Sequence, residues 1–448
     1  MNHVIVVDLG YGDAGKGTVV DWLCSRPGRP VHTVVRFNGG AQAAHNVVTP
    51  DGRHHAFSQF GAGTFAAGVR THLSRFALVD PLALAAEAEH LAAVGVRYAL
   101  ARLTVDRHAL LVTPYHQAAN RLRELRRAGD RHGSCGMGIG QTASYALDYP
   151  ADAPRTGDCE TPGVLARKLT ALIDCLRAEL GPLDVPPVAD VCDAYRAFGA
   201  SVALVDTGHL GRLLRAGPAV FEGAQGVLLD ERYGFHPYTT WSTTTFANAE
   251  TLLSEAGMGA VRLGVIRCYM TRHGPGPFVT EDPTLELPEP HNQHNRWQGP
   301  FRVGQLDAVA LRYAIAVSGG VDAVALTHLD VAEYLAGTGR PGLRVCRAYR
   351  ADGQVVPDIS ATGAGDALER QERLTRLLLR ARPVYGDPAD GTPASGVPAA
   401  DWPSVVEQAA GAPVALVSRG PTAPDKECRR QNWGICGESN RTILGAGV

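Results

Sequence analysis

Gly10, Gly15 and Lys16 stand at the spacing of a phosphate-binding loop, directly after the apolar run Val4–Asp8. Glycines at those positions let backbone N–H groups converge on phosphate oxygens, and the lysine adds a point charge. The hydroxyl residue that would follow the lysine and hold magnesium is replaced by Gly17, and the loop instead carries an acid, Asp13. A carboxylate so placed can meet a metal ion or take a proton from a substrate; a strand-to-loop turn with no ligand is the plain alternative. Arg36–Asn46 is a second glycine turn after an apolar strand, and it ends on His45. If the two turns face one crevice, His45 becomes an acid or electrostatic partner for Asp13 rather than an ordinary surface histidine. Phe221–Gly226 carries Gln225, whose amide both donates and accepts and so suits a purine edge. Thr239–Thr245 offers hydroxyls to a phosphate, or is only a threonine-rich strand; Gly133–Gly140 has the makeup of a nest of backbone amides, or of a flexible loop. Asp330, after the apolar run Val321–Leu326, can accept from N1–H and the 2-amino group of guanine, or can simply cap a helix.

Such turns need strands to launch them. Val4–Asp8, His32–Phe37, Ala203–Asp206, Ala219–Phe221, Val261–Cys268 and Val321–Leu326 read as strands, and Leu82–Val94, Pro114–Arg127, Thr161–Leu180, Leu306–Val317 and Gly363–Arg382 carry apolar residues at helical spacing. Strand, helix, strand order predicts an α/β, P-loop-like fold: a mainly parallel central sheet covered by helices, with inserted loops and helical subregions, and with ligands at the carboxyl ends of strands. The 448 residues are read as a single elaborated domain, 1–448. Thr280–Gln298 and Pro383–Trp402 lack periodicity and are expected to be long loops.

Composition narrows the function classes. Lys plus Arg (43) nearly balance Asp plus Glu (45), for a net charge of −2, with no basic tail or charge block, so neither nucleic acid nor a membrane surface is expected as a partner. Met1-Asn2-His3 leads straight into a strand without the pattern of a signal peptide. No apolar stretch reaches the roughly 18 residues of a membrane span. Nine cysteines, an odd number with no C-x-x-C pair, point to reduced thiols in the cytoplasm and give little support to zinc.

Taken together, the motifs resemble the adenylosuccinate synthetase family, GTP-dependent ligases that join L-aspartate to C6 of IMP. The resemblance rests on Gly12–Gly17, Arg36–His45, Leu110–Leu125, Gly133–Gly140, Glu222–Asp230, Thr271–Glu281, Leu306–Ile315 and Thr327–Asp330, and returns weakly at Ser418–Pro421. It implies that the γ-phosphoryl of GTP is first moved onto the purine 6-oxygen, after which an amine displaces phosphate at C6. By resemblance Asp13 takes the N1 proton and binds Mg²⁺, with the carbonyl of Ala44 as a second metal contact, and His45 steadies the γ-phosphoryl. Gly12, Gly15, Lys16 and Gly17 hold GTP phosphates, Asp330 with Ser418 and Gly420 reads guanine, and Arg302 is a further nucleotide contact. Gln42, Cys135, Gln225 and Thr240 match positions that hold the purine nucleotide and its 5′-phosphate. The family also implies a homodimer whose subunits complete each other's sites.

Departures from the family pattern fall on substrate contacts. The loop that clamps aspartate carboxylates with hydroxyls and arginines aligns with Arg296–Asp307, where Trp297, Gln298, Pro300 and Phe301 stand and only Arg302 is kept. A bidentate arginine–carboxylate contact is worth a few kcal/mol, about 2–5 when one partner of a buried pair is removed. Gln42 replaces an asparagine, Cys135 a threonine and Met137 an arginine, Asn46 and His328 are further changes, and the segment that lends an arginine to the partner subunit aligns with Asp148–Pro154, which has none, though Arg155 lies just beyond. The expectation is therefore a GTP-dependent C–N ligase on an IMP-like nucleotide with an amine other than L-aspartate, neutral or sugar-like, in specialised nucleoside biosynthesis. A conventional adenylosuccinate synthetase and a non-catalytic GTP-binding regulatory protein are the alternatives.

Overall fold

The computed structural model describes residues 3–28, 30–128, 131–289, 297–362, 365–386 and 395–430. Ten strands form the main sheet: β1 (His3–Asp8), β2 (Thr33–Arg36), β3 (Arg70–Leu73), β4 (Leu103–Asp106), β5 (Ala203–Val205), β6 (Ala219–Glu222), β7 (Ala260–Arg267), β8 (Ala323–Thr327), β9 (Val414–Ser418) and β10 (Lys426–Cys428). Their spatial order is β10-β9-β8-β7-β1-β6-β2-β3-β4-β5, and every pair is parallel except β9 with the edge strand β10. All six expected strands form, as do the five expected helices, now bounded as Pro81–Ala93, Pro114–Arg126, Pro162–Leu180, Ala308–Val317 and Ala367–Arg380. The parallel α/β fold stands as expected.

The run His3–Asp8 is buried at every position because helices cover both faces of the sheet. Val4 and Val6 pack into one layer with Val19, Val20, Leu23 and Val34, whereas Ile5, Val7 and Leu9 pack into the other with Val35, Phe221 and Ile266. Each such side chain contributes about 1.5–3 kcal/mol by leaving water. β3 and β4 escaped the sequence reading because Arg70-Thr71-His72-Leu73 and Leu103-Thr104-Val105-Asp106 mix polar residues into a buried strand. His72 Nδ1 and Thr104 Oγ1 satisfy each other at 2.9 Å across that pair, and burial holds the His72 imidazole neutral, its pKa pushed down to about 3. The helix Lys16–Ser25 was likewise not expected, since its mixed sequence follows a glycine turn.

Residues 290–296 and 387–394, the middles of the two expected long loops, lie outside the described residues. Among the described residues no helix is long and apolar enough to cross a membrane. Of the described cysteines seven are free thiols and Cys428 is disulfide-bonded, which departs from the expectation of wholly reduced thiols.

Candidate active site

The sheet reverses its winding around β1: β2 to β5 run out on one side, β7 to β9 on the other, and β6 inserts between β1 and β2. At the carboxyl ends of these strands lies a cavity of about 1450 Å³, walled by the loops that follow β1, β2, β6, β7, β8 and β9. A crevice at a topological switch point is where open α/β sheets bind ligands. Asp13, Lys16, His45, Gln42, Ala44, Cys135, Gln225, Thr240, Gln298, Asp330, Ser418 and Gly420 all line it, so residues far apart along the chain meet in one place.

The first loop is held from below by Asp8, the last residue of β1. Its carboxylate accepts from the backbone N–H groups of Gly10 (2.8 Å), Gly12 (3.3 Å) and Ala14 (2.8 Å), and from Lys16 Nζ at 3.1 Å. Lys16 Nζ also donates to the carbonyl of Gln225 at 2.7 Å, which ties the first glycine turn to the turn after β6. Gly226 is required at that crossing: a Cβ there would stand 2.3 Å from Gly10 O and 2.4 Å from Gly12 N. Gly17 has a similar reason. A Cβ at Gly17 would lie 2.8 Å from His45 Cβ and 3.2 Å from Asn46 O, so the missing hydroxyl residue is the consequence of the His45 strand packing directly on the loop.

Asp13 adopts φ 60°, a left-handed conformation that aspartate tolerates better than most residues and that turns it into the cavity. Its carbonyl accepts from Arg267 Nε at 2.6 Å, and its carboxylate lies 3.5 Å from His273 Nε2. His45 is buried and its Nδ1 donates to Glu222 Oε1 at 2.6 Å, leaving Nε2 as the nitrogen available to a ligand. Burial lowers the His45 pKa, against the upward pull of Glu222. Burial works to raise the Glu222 carboxyl, but Arg36 and His45 outweigh it and hold the group below the ordinary value. Glu222 also accepts from the Ala62 N–H at 2.9 Å, so the carboxylate that orients His45 is itself fixed.

Asp13 and the carbonyl of Ala44 offer hard oxygen donors of the kind Mg²⁺ takes when substrate phosphates complete its shell. Among the described residues there is no cluster of three or more His, Cys, Asp or Glu side chains able to hold a metal by itself. Asp330 sits in the first turn of the helix Leu329–Gly337, and burial first, then Glu333 and Asp425, raises its pKa. Several amide groups in the wall are buried without partners: both polar atoms of Gln42, and Oε1 of Gln141 and of Gln225. Unpaired buried amide atoms in a cavity wall are able to hydrogen-bond a ligand.

The expected amine loop comes out differently. Arg302 donates to both oxygens of Glu281 (2.9 and 2.5 Å) and to the carbonyls of Gly274 (3.1 Å) and Gly276 (3.0 Å). It is committed to its own hairpin, Met270–His273 paired with Phe301–Gly304, and does not line the cavity; neither do Trp297 and Pro300. Trp297 packs on Gly136, where a Cβ would meet the indole at 3.1 Å. The tryptophan that the cavity does present is Trp241, 47% exposed, which sequence reading passed over inside the threonine run. Asp8 and Glu222 were missed as well; the available signal was a carboxylate closing an otherwise apolar, fully buried strand.

The family model for adenylosuccinate synthetase matches residues 5–425. The chain is 32% identical over 368 residues to the adenylosuccinate synthetase of Desulfovibrio desulfuricans, covering 79% of this chain and 83% of that protein. It is 31% identical over 452 residues to that of Ralstonia nicotianae, covering 94% and 95% respectively. Among solved structures it resembles a fully ligated adenylosuccinate synthetase from Plasmodium falciparum, with a TM-score of 0.78 at 22% identity, covering 96% of this chain and all of the other. It also resembles the cyanophage S-2L succinoaminodeoxyadenylate synthetase bound to dGMP and dATP, with a TM-score of 0.56 at 18% identity over 95% of each chain. The chain belongs to the adenylosuccinate synthetase family, and is a GTP-dependent ligase that forms a C–N bond.

Proposed function

We propose that this ligase phosphorylates the 6-oxo group of an IMP-like purine nucleotide and couples C6 to an amine other than L-aspartate, in specialised nucleoside biosynthesis. Asp13 takes the N1 proton, the 6-oxygen attacks the γ-phosphorus of GTP, and the bond to the GDP oxygen breaks. The amine nitrogen then bonds to C6, phosphate leaves with the C6–O electron pair, and the amine gives up a proton. His45, oriented by Glu222, offers Nε2 to the transferring phosphoryl group, and Lys16 with the loop amides positions the GTP phosphates. Mg²⁺ held by Asp13 and Ala44 O would neutralise phosphate charge. Gln42, Cys135, Gln225 and Thr240 face the purine nucleotide, and Asp330, Ser418 and Gly420 the guanine of GTP. Family membership supports a homodimer and a cytoplasmic setting.

One observation carries the choice of amine: the arginine left in the expected amine loop, Arg302, is already consumed by Glu281 and two carbonyls. Arg296 lies outside the described residues; from the described residues of that loop a dicarboxylate entering there would lose water without gaining a charged partner, a cost of several kcal/mol per ion. A neutral amine with an apolar face suits Trp241 and Gln298 better. Purified protein incubated with GTP, Mg²⁺ and IMP, with L-aspartate in one arm and neutral amines including amino sugars in the other, tests this. Efficient formation of adenylosuccinate would defeat the proposal and establish the conventional activity, which similarity along nearly the whole chain to curated adenylosuccinate synthetases favours. The cyanophage protein of this fold was bound to dGMP and dATP, so GMP belongs in the nucleotide panel.

A further inference from the structure

Lysine and arginine side chains that line the cavity are nearly all committed. Lys16 is bound to Asp8 and the Gln225 carbonyl, Arg127 to Glu124, and Arg267 to Glu289, Tyr269 and the Asp13 carbonyl. Arg272 is spent on the carbonyls of Pro275, Pro277 and Tyr238. Arg232 alone of this set has no hydrogen bond or ion pair on its side chain among the described residues.

Its backbone is not left to chance. Asp230, fully buried, accepts from the N–H groups of Arg232 (2.8 Å) and Tyr233 (3.2 Å) with one oxygen and from Thr244 N–H (2.6 Å) with the other. The same turn is laid along the threonine segment: Thr240 N–H donates to Leu229 O at 2.8 Å and Glu231 N–H to Ser242 O at 3.3 Å. A Cβ added at Gly234 would stand 2.9 Å from Thr239 Cγ2. The hydroxyls of Thr239 and Thr240, which also line the cavity, carry no hydrogen bond among the described residues. Arg232, an exposed residue, and Thr239 and Thr240 thus line one cavity from two stretches of chain whose backbones are hydrogen-bonded together, and a guanidinium with two hydroxyls is the complement of a phosphate monoester.

We propose that Arg232 binds the 5′-phosphate of the purine nucleotide from within the same subunit, with Thr239 and Thr240, and sets the preference for a nucleotide over a nucleoside. The inference rests on the 6-oxopurine reading above. It assigns the anion contact to this chain's own turn, so that each subunit holds the substrate phosphate without an arginine from its partner.

Two measurements on the full-length protein test it. The first is the IMP concentration giving half-maximal scrambling of the βγ-bridging oxygen of GTP, which reports phosphoryl transfer to the nucleotide without needing the amine. The second is direct calorimetric titration of IMP and of inosine. R232Q is expected to raise the IMP half-saturation and dissociation constants about 10- to 100-fold, R232E further, and R232K less. The half-saturation for GTP, the maximal scrambling rate and the affinity for inosine should stay within about threefold, which a fold-damaging variant would not allow. Unchanged IMP affinity in R232Q, or equal weakening of IMP and inosine, overturns the proposal. Wild-type protein that binds IMP tightly but shows no IMP-dependent scrambling would refute 6-oxo phosphorylation instead, while the IMP-to-inosine ratio in R232Q still decides the role of Arg232.

Discussion

Replacing Gly17 by alanine probes the joint on which the active site depends. The added Cβ would lie 2.8 Å from His45 Cβ and 3.1 Å from its carbonyl carbon, where ordinary contacts are 3.4–4 Å. The His45 strand must therefore retreat by roughly 0.6–1.2 Å. His45 cannot follow freely, because Nδ1 is held by Glu222, which is itself anchored on the Ala62 N–H. A displacement of about 1 Å at a reacting centre costs on the order of 10²-fold in rate, so kcat for G17A should fall 10- to 100-fold. Overpacking of this kind costs about 1–3 kcal/mol. Part of that is offset by the helix propensity of alanine, about 1 kcal/mol better than glycine, since Gly17 lies in the first turn of Lys16–Ser25. The assay is GDP release with an accepting amine, run beside urea unfolding. Gly163→Ala serves as control, because a Cβ there meets nothing within 4 Å. Wild-type kcat in a folded G17A protein would refute the idea that the loop is closed by its contact with His45.

Asp8→Ala removes the acceptor of three loop N–H groups and the partner of Lys16; breaking a buried pair of this kind should cost about 3–5 kcal/mol in denaturant unfolding and abolish GTP binding by titration. Arg302→Lys should leave the half-saturation for GTP unchanged while loosening the Met270–His273 hairpin, seen as faster amide exchange; a large rise in the GTP value would return Arg302 to the nucleotide site. Asp307 supplies a pH dependence. Burial pushes its carboxyl up to about 6, against the Ala310 N–H and Tyr349 hydroxyl it accepts from, while the unfolded value is about 3.9. The folded state binds the extra proton between those values, so the contribution is present below about pH 4 and is lost as pH rises toward 6, about 3 kcal/mol in all. Asp307→Asn keeps the cap, and urea unfolding from pH 4 to 7 should show a smaller decline with pH than wild type.

The residues themselves determined where the chain turns and what the turns can hold. Val4–Asp8 could only be a strand buried on both faces, Gly10–Lys16 only a loop built around backbone amides, and the order of these pieces placed the family and the parallel sheet before any coordinates. Local backbone preference and apolar periodicity are short-range properties, and they survive in the sequence. Tertiary structure decided which charges remain free. Asp8 and Glu222 look like ends of core strands, yet the one holds the loop and the other orients His45 from 177 residues away. Arg302 has the right type and place for a ligand contact but is spent on Glu281, while Arg232, unremarked in the sequence, is left uncommitted. Hydrogen-bonding capacity is shared among neighbours that only folding brings together, so the side chains left for substrate emerge from that competition and not from their spacing along the chain.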